Sequence, residues 1–196
     1  MDFTGTEKKI FLVLGKRGSG KSFFVKHQLK SANRFLVFDT LGEYDGGVII
    51  QDINQLIEYW GKNLNKNFRI VYQPLQPDDE FPAICDLVWA CGNMVFVVEE
   101  IDRFCDSTHL SGEFANIVQR GRHKDITLVA ISQRPYRVNR TLSSQVKELY
   151  TFQQSEPRDI DFLSEFIGQD VDRVRELPLY SFLHWQSGGK IVVDKV

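Results

Sequence analysis

The stretch Gly15-Lys16-Arg17-Gly18-Ser19-Gly20-Lys21-Ser22 fits the pattern G-x-x-x-x-G-K-[ST] without a mismatch. The apolar run Ile10 to Leu14 enters it and reads as a buried strand, and Ser22 to Leu29 reads as a helix leaving it. No other feature constrains the fold as strongly, because it ties a buried strand to a helix through a glycine-rich turn. Glycines let the backbone fold tightly, so that successive N–H groups and a helix N-terminus point at phosphate oxygens. In such a loop Lys21 reaches the β- and γ-phosphates and the Ser22 hydroxyl ligates Mg²⁺. Residues Gly15 to Ser22 are therefore expected to bind a nucleoside triphosphate.

The chain has 196 residues, which fits one α/β domain over 1–196 with a sizeable core. Hydrophobic residues make up 42% and charged residues 26%, an ordinary balance for a soluble globular protein. No apolar stretch approaches the ~18 residues needed to cross a bilayer, and the N-terminus lacks a signal-peptide pattern. Cys85, Cys91 and Cys105 are odd in number, have no zinc-like spacing, and read as reduced thiols of a cytosolic protein.

A net charge of −2 does not mark a nucleic-acid binder, but the charge is unevenly spread. Arg120, Arg122, Lys124, Arg134, Arg137 and Arg140 face only Asp125 between positions 120 and 140, whereas Glu99 to Glu113 is acidic. Charge alone favours a solvated surface slightly over a binding patch.

Strand-like runs alternate with helical patterns along the whole chain. The strands read as Ile10–Leu14, Phe35–Phe38, Phe68–Tyr72, Met94–Val98, Thr127–Ile131, Leu149–Phe152 and Tyr180–Trp185, with Lys190–Val193 closing a hairpin after Ser187-Gly188-Gly189. The helices read as Lys21–Lys30, Asn54–Asn63, Phe81–Ala90, Gly112–Arg122 and Pro157–Phe166. Apolar runs separated by helices imply a mostly parallel sheet covered on both faces. Asp78-Asp79-Glu80 reads as a turn, and that turn and Cys105–Ser111 are expected as mobile loops.

Met94 to Val98 is an apolar strand that ends in Glu99 and Glu100. In enzymes with this loop, a strand beside it delivers an acid that holds Mg²⁺, and a second acid orients and deprotonates the attacking water. Glu99 is assigned to the metal shell and Glu100 to the general base, two roles that the adjacent carboxylates can share or exchange. Leu128 to Ile131 is a third apolar strand, ending in Ser132-Gln133. Gln133 is the candidate for touching the γ-phosphate or the lytic water, with Ser132 as second choice.

In order along the chain, these residues resemble the HerA/FtsK superfamily of P-loop motor ATPases. Asp39-Thr40-Leu41-Gly42-Glu43-Tyr44 is similar to its D-x-x-G-E-Y signature, and Val98-Glu99-Glu100-Ile101-Asp102 to its strand with an acid pair. Gly121-Arg122-His123-Lys124, a strand, then Ser132-Gln133-Arg134-Pro135 resemble its Arg-bearing helix, strand and Q-R-P; Leu177 to Phe182 resembles its closing stretch. The resemblance implies a RecA-like P-loop core that forms a homo-oligomeric ring, usually a hexamer, and translocates double-stranded DNA without sequence preference while hydrolysing ATP with Mg²⁺. It also implies an arginine finger supplied in trans, for which Arg122 is the first choice and Arg120, Arg134 and Arg140 the others; Leu149 stands where FtsK-type proteins carry an Arg.

Without an appended barrel, membrane segment or winged-helix tail, the chain resembles the minimal motors that package viral or phage genomes into a preformed capsid. A capsid vertex or membrane protein is then the docking partner, and the host cytoplasm or the virion the location. Three alternatives compete: a HerA-like cellular translocase or helicase, a small P-loop kinase, and an assembly protein similar to the zonula occludens toxin-like proteins. The paired acids and Gln133 suit water activation rather than transfer to a bound acceptor.

Overall fold

Apolar runs become strands here because their alternating side chains are buried on both faces of one sheet. In the computed structural model, which describes residues 3–5 and 7–196, the strands are β1 (Ile10–Leu14), β2 (Arg34–Phe38), β3 (Val48–Ile50), β4 (Phe68–Tyr72), β5 (Met94–Val98), β6 (Ile126–Ser132), β7 (Glu148–Thr151), β8 (Ser181–Gln186) and β9 (Lys190–Lys195). They form one sheet in the order β3-β4-β2-β5-β6-β1-β7-β8-β9. All pairs from β3 to β7 are parallel, whereas β8 runs antiparallel to both β7 and β9. This is the α/β fold expected, with a mostly parallel sheet and a C-terminal hairpin.

The helices are α1 (Lys21–Leu29), α2 (Ile53–Asn63), α3 (Pro77–Cys91), α4 (Ile101–Phe104), α5 (Gly112–Arg120), α6 (Arg140–Ser143) and α7 (Pro157–Ile167). Odd and even strand positions separate into two cores. Phe11, Val13, Val37, Val97 and Val129 pack with Phe24 and Val25 of α1 on one face. Leu12, Leu14, Phe38, Phe96 and Leu128 pack on the other, against Leu56 of α2, Ile84 of α3, Phe114 of α5 and Leu163 of α7. Each fully buried side chain of this kind contributes about 1.5–3 kcal/mol. Side-chain caps fix three helix starts: Asp52 accepts from Asn54 and Gln55 N–H at 2.9 and 3.0 Å, Ser111 from Phe114 N–H at 3.2 Å, and Asn139 from Thr141 N–H at 2.9 Å.

Several sequence expectations need correction. Asp78, Asp79 and Glu80 are not a turn but the first turn of α3, behind Pro77 at its start. Proline is preorganised for that position, and the three carboxylates complement the positive helix end. Helix α5 stops at Arg120, and Gly121–Lys124 continues as a 3₁₀ turn. The short edge strand β3 and the 3₁₀ segment Gly168–Glu176 carried no readable periodicity. The acidic strand β5 does not adjoin β1, because β6 lies between them. Cys85, Cys91 and Cys105 are free thiols. Among the described residues no helix is long and apolar enough to cross a membrane.

Candidate active site

The loop from Gly15 to Gly20 leaves β1 at its C-terminal end and folds back onto itself before α1. Ser19 N–H donates to the Lys16 carbonyl at 3.2 Å, and Lys21 Nζ donates to the same carbonyl at 3.1 Å. The lysine thus spans the cradle. Two glycines are required by close packing: a Cβ on Gly15 would lie 2.6 Å from both Phe152 Cβ and Ser19 Oγ, and one on Gly20 2.8 Å from Tyr180 Cδ1. Lys21 is buried, and desolvation lowers its pKa, against the opposing pull of Glu99, Glu43 and Asp102. Among the described residues, Ser19 Oγ is buried with no hydrogen-bond partner.

Strand β5 delivers its two carboxylates into different surroundings. Glu99 is 2% exposed, and its Oε1 accepts from Tyr44 OH at 2.8 Å and from Ser22 Oγ at 3.3 Å. Burial pushes its pKa up to about 7; the Tyr44 hydroxyl and Lys21 pull it down, while Glu43 and Asp39 push it further up. Glu100 then takes a left-handed backbone conformation, φ 51° and ψ 45°. Its Oε2 accepts from Thr40 Oγ1 at 3.1 Å. The Thr40 and Tyr44 hydroxyls come from one loop after β2. Asp39 fastens that loop by accepting from Glu43 and Tyr44 N–H at 3.1 and 3.0 Å and from Gln73 Nε2 at 3.3 Å.

At the end of β6, Ser132 Oγ donates to Asp102 Oδ1 at 2.7 Å and accepts from Arg134 N–H at 2.9 Å. Its hydroxyl is committed to those bonds, which leaves Gln133 as the polar side chain facing the cleft. One cleft of about 580 Å³ is lined by Arg17, Gly18, Gly20, Lys21, Ser22, Glu99, Glu100 and Gln133, together with Phe23, Leu41, Glu43 and Tyr180. Gly15, Lys16 and Ser19 complete the loop behind it. Arg122 is not brought to this cleft. It is exposed on the 3₁₀ turn that precedes β6, at the opposite end of the sheet. Arg134 pairs with Glu156 at 3.0 Å and Asp159 at 3.3 Å, and Arg140 pairs with Glu165.

The signature Asp39 to Tyr44 is legible in the sequence, but its role is not. The contacts of Thr40 and Tyr44 with the two glutamates cross more than fifty residues of chain, and only the adjacency of β2 and β5 creates them. Tyr180 was likewise missed, because the signal was no more than an aromatic residue near a strand start.

No protein-family model matches the chain. It is 23% identical over 179 residues to DNA packaging ATPase P9 of Enterobacteria phage PRD1, covering 88% of this chain and 76% of P9. The genome packaging NTPase B204 of Sulfolobus turreted icosahedral virus 2, solved in complex with ATP-gammaS, has a TM-score of 0.80 at 19% identity and covers 97% of this chain and 98% of B204. The N-terminal domain of zonular occludens toxin from Neisseria meningitidis has a TM-score of 0.56 at 13% identity, covering 97% of this chain and 95% of that domain. The chain shares the fold of B204 and of that domain, and its motifs resemble those of the HerA/FtsK superfamily.

Proposed function

We propose that the chain is an ATP-hydrolysing translocase of double-stranded DNA that packages a viral genome into a preformed capsid. The observation that carries the hydrolytic part is the meeting, in one cleft, of a phosphate cradle, a Ser22–Glu99 pair at 3.3 Å and a second carboxylate on Glu100. The packaging part is supported by similarity to P9 along 88% of the chain.

Magnesium fits the donor set. Ser22 Oγ and Glu99 Oε1, hard oxygens 3.3 Å apart, would hold it. Held there with ATP, Mg²⁺ would neutralise charge on the β- and γ-phosphates. Lys21 exchanges the Lys16 carbonyl for phosphate oxygens, and the loop N–H groups hold the β-phosphate. Glu100 accepts a proton from the water whose oxygen attacks the γ-phosphorus; the bond to the bridging oxygen breaks, leaving ADP and phosphate. Gln133 orients that water or reads the γ-phosphate. Copies of the chain form a ring in which Arg122 of one copy serves the cleft of its neighbour. Phosphate contacts along the ring channel grip duplex DNA without reading its sequence, and a capsid vertex supplies the docking site.

The test is ATP hydrolysis by the purified protein with and without duplex DNA. Duplex DNA is expected to stimulate hydrolysis, DNA binding to weaken with salt, and Lys21→Ala to abolish turnover. Identical rates with and without DNA, together with no salt-sensitive DNA binding, would sink the motor. A phosphorylated acceptor in place of free phosphate would point to a kinase.

A further inference from the structure

Phe23 and Tyr180 are large aromatic side chains left 57% and 48% exposed beside the phosphate cradle. Phe23 comes from the first turn of α1 and Tyr180 from the turn before β8, yet their ring centroids lie 5.9 Å apart at 61°. Both line the cleft that holds Lys21, Ser22 and Glu99. The sheet order gives that cleft a direction. Glu99, Glu100 and Gln133 lie at the ends of β5 and β6 on one side of β1, whereas Tyr180 precedes β8 on the other side.

Tyr180 is held in an unfavourable backbone. Its φ of +61° lies in the left-handed region, which bulky side chains rarely adopt. Ser181 N–H donates to the Pro178 carbonyl at 3.0 Å, closing a tight turn in which glycine would be at ease. The turn is instead bolted on both sides. Tyr180 N–H donates to the Ser19 carbonyl at 3.3 Å, and its carbonyl accepts from Val196 N–H at 3.0 Å. The ring approaches Gly20 so closely that a Cβ there would stand 2.8 Å from Tyr180 Cδ1. A strained, half-exposed aromatic held rigidly beside a binding loop points to a ligand.

We propose that Tyr180, braced by the edge of Phe23, is the platform on which the base of the bound nucleoside triphosphate stacks. The proposal rests on the nucleotide reading of the cleft and deepens it. With phosphates on the loop and the γ-phosphate toward Glu100, the base end of the ligand falls toward β7 and β8, where these rings are. Stacking accepts any π-face, so the platform favours the larger purines over pyrimidines without separating adenine from guanine.

Tyr180→Gly is the deciding variant, since glycine suits the backbone and only the ring is removed; Tyr180→Phe keeps the ring. Each protein is titrated calorimetrically, with Mg²⁺, against the non-hydrolysable analogue AMPPCP and against inorganic tripolyphosphate. Tyr180→Gly is expected to weaken AMPPCP about 10-fold, to leave tripolyphosphate within about twofold, and Tyr180→Phe to restore AMPPCP affinity. Equal losses for the two probes, or no loss for AMPPCP, overturn the platform. Wild-type protein that binds neither probe overturns the nucleotide site itself.

Discussion

Glu99 and Glu100 show how far neighbouring side chains of one type can diverge. Burial raises the Glu99 pKa to about 7, so its charge is held at a cost that Tyr44 and Lys21 only partly offset. Glu99→Gln keeps both acceptor contacts and removes that charge. It is expected to raise the melting temperature of the nucleotide-free protein at pH 8, by the equivalent of about 1–3 kcal/mol, while turnover is lost. Glu100→Gln should instead lower turnover by about 10²–10⁴-fold and leave ATP binding intact, read by single-turnover hydrolysis beside equilibrium binding. At the far end of the sheet Glu148 has the opposite balance. Burial raises its pKa, but hydrogen bonds from His184 at 3.0 Å, Lys9 at 2.9 Å and Tyr150 at 2.8 Å outweigh this and bring it down to about 2. Its folded pKa lies below the ordinary 4.5, so its stability contribution is present above pH 4.5 and lost as pH falls toward 2. Glu148→Gln should therefore cost on the order of 3 kcal/mol at pH 7, and melts of the two proteins should converge across that acidic window.

Among the elements, the loop after β2 is the one whose role the sequence hides. Asp39 ties its backbone, Thr40 holds Glu100, and Tyr44 holds Glu99. Tyr44→Phe removes one hydroxyl and little volume. It is expected to raise the Mg²⁺ concentration needed for half-maximal hydrolysis about 10-fold, with circular dichroism unchanged; an unaltered Mg²⁺ requirement would show that Ser22 alone orients Glu99. Strands, the five longer helices and the phosphate loop were legible because their periodicities and glycine spacing are local signals. Strand β3 was not, since three residues at a sheet edge with Val48 and Ile49 exposed carry no pattern. Nor was the start of α3, where Asp78 to Glu80 have the composition of a turn and only Pro77 marks the helix.

For the whole molecule, β6 divides what looks in sequence like one basic cluster. Arg120, Arg122 and Lys124 precede this seven-residue strand and Arg134, Arg137 and Arg140 follow it, so the two groups stand at ends about 23 Å apart. Arg134 and Arg140 are engaged by Glu156 and Glu165, whereas Arg122 is exposed. An exposed arginine remote from its own cleft suits service to a neighbouring copy. Arg122→Ala and Lys21→Ala should each be inactive alone, yet mixed in equal amounts they should recover hydrolysis at about a quarter of the sites, because intact Lys21 and intact Arg122 then meet across subunits. A mixture as inactive as its components would remove Arg122 from that role.

By itself the sequence determined the phosphate loop, the strands that feed it, the acid pair and the polar strand end. These are local patterns, set by glycine spacing and by apolar residues that must be buried. The tertiary structure decided the rest. It inserted β6 between β1 and β5, set Ser22 against Glu99, brought Thr40 and Tyr44 to the two carboxylates, and closed the cradle with Tyr180. Strand order and a left-handed residue arise from packing across the whole chain, and no short stretch of sequence records them.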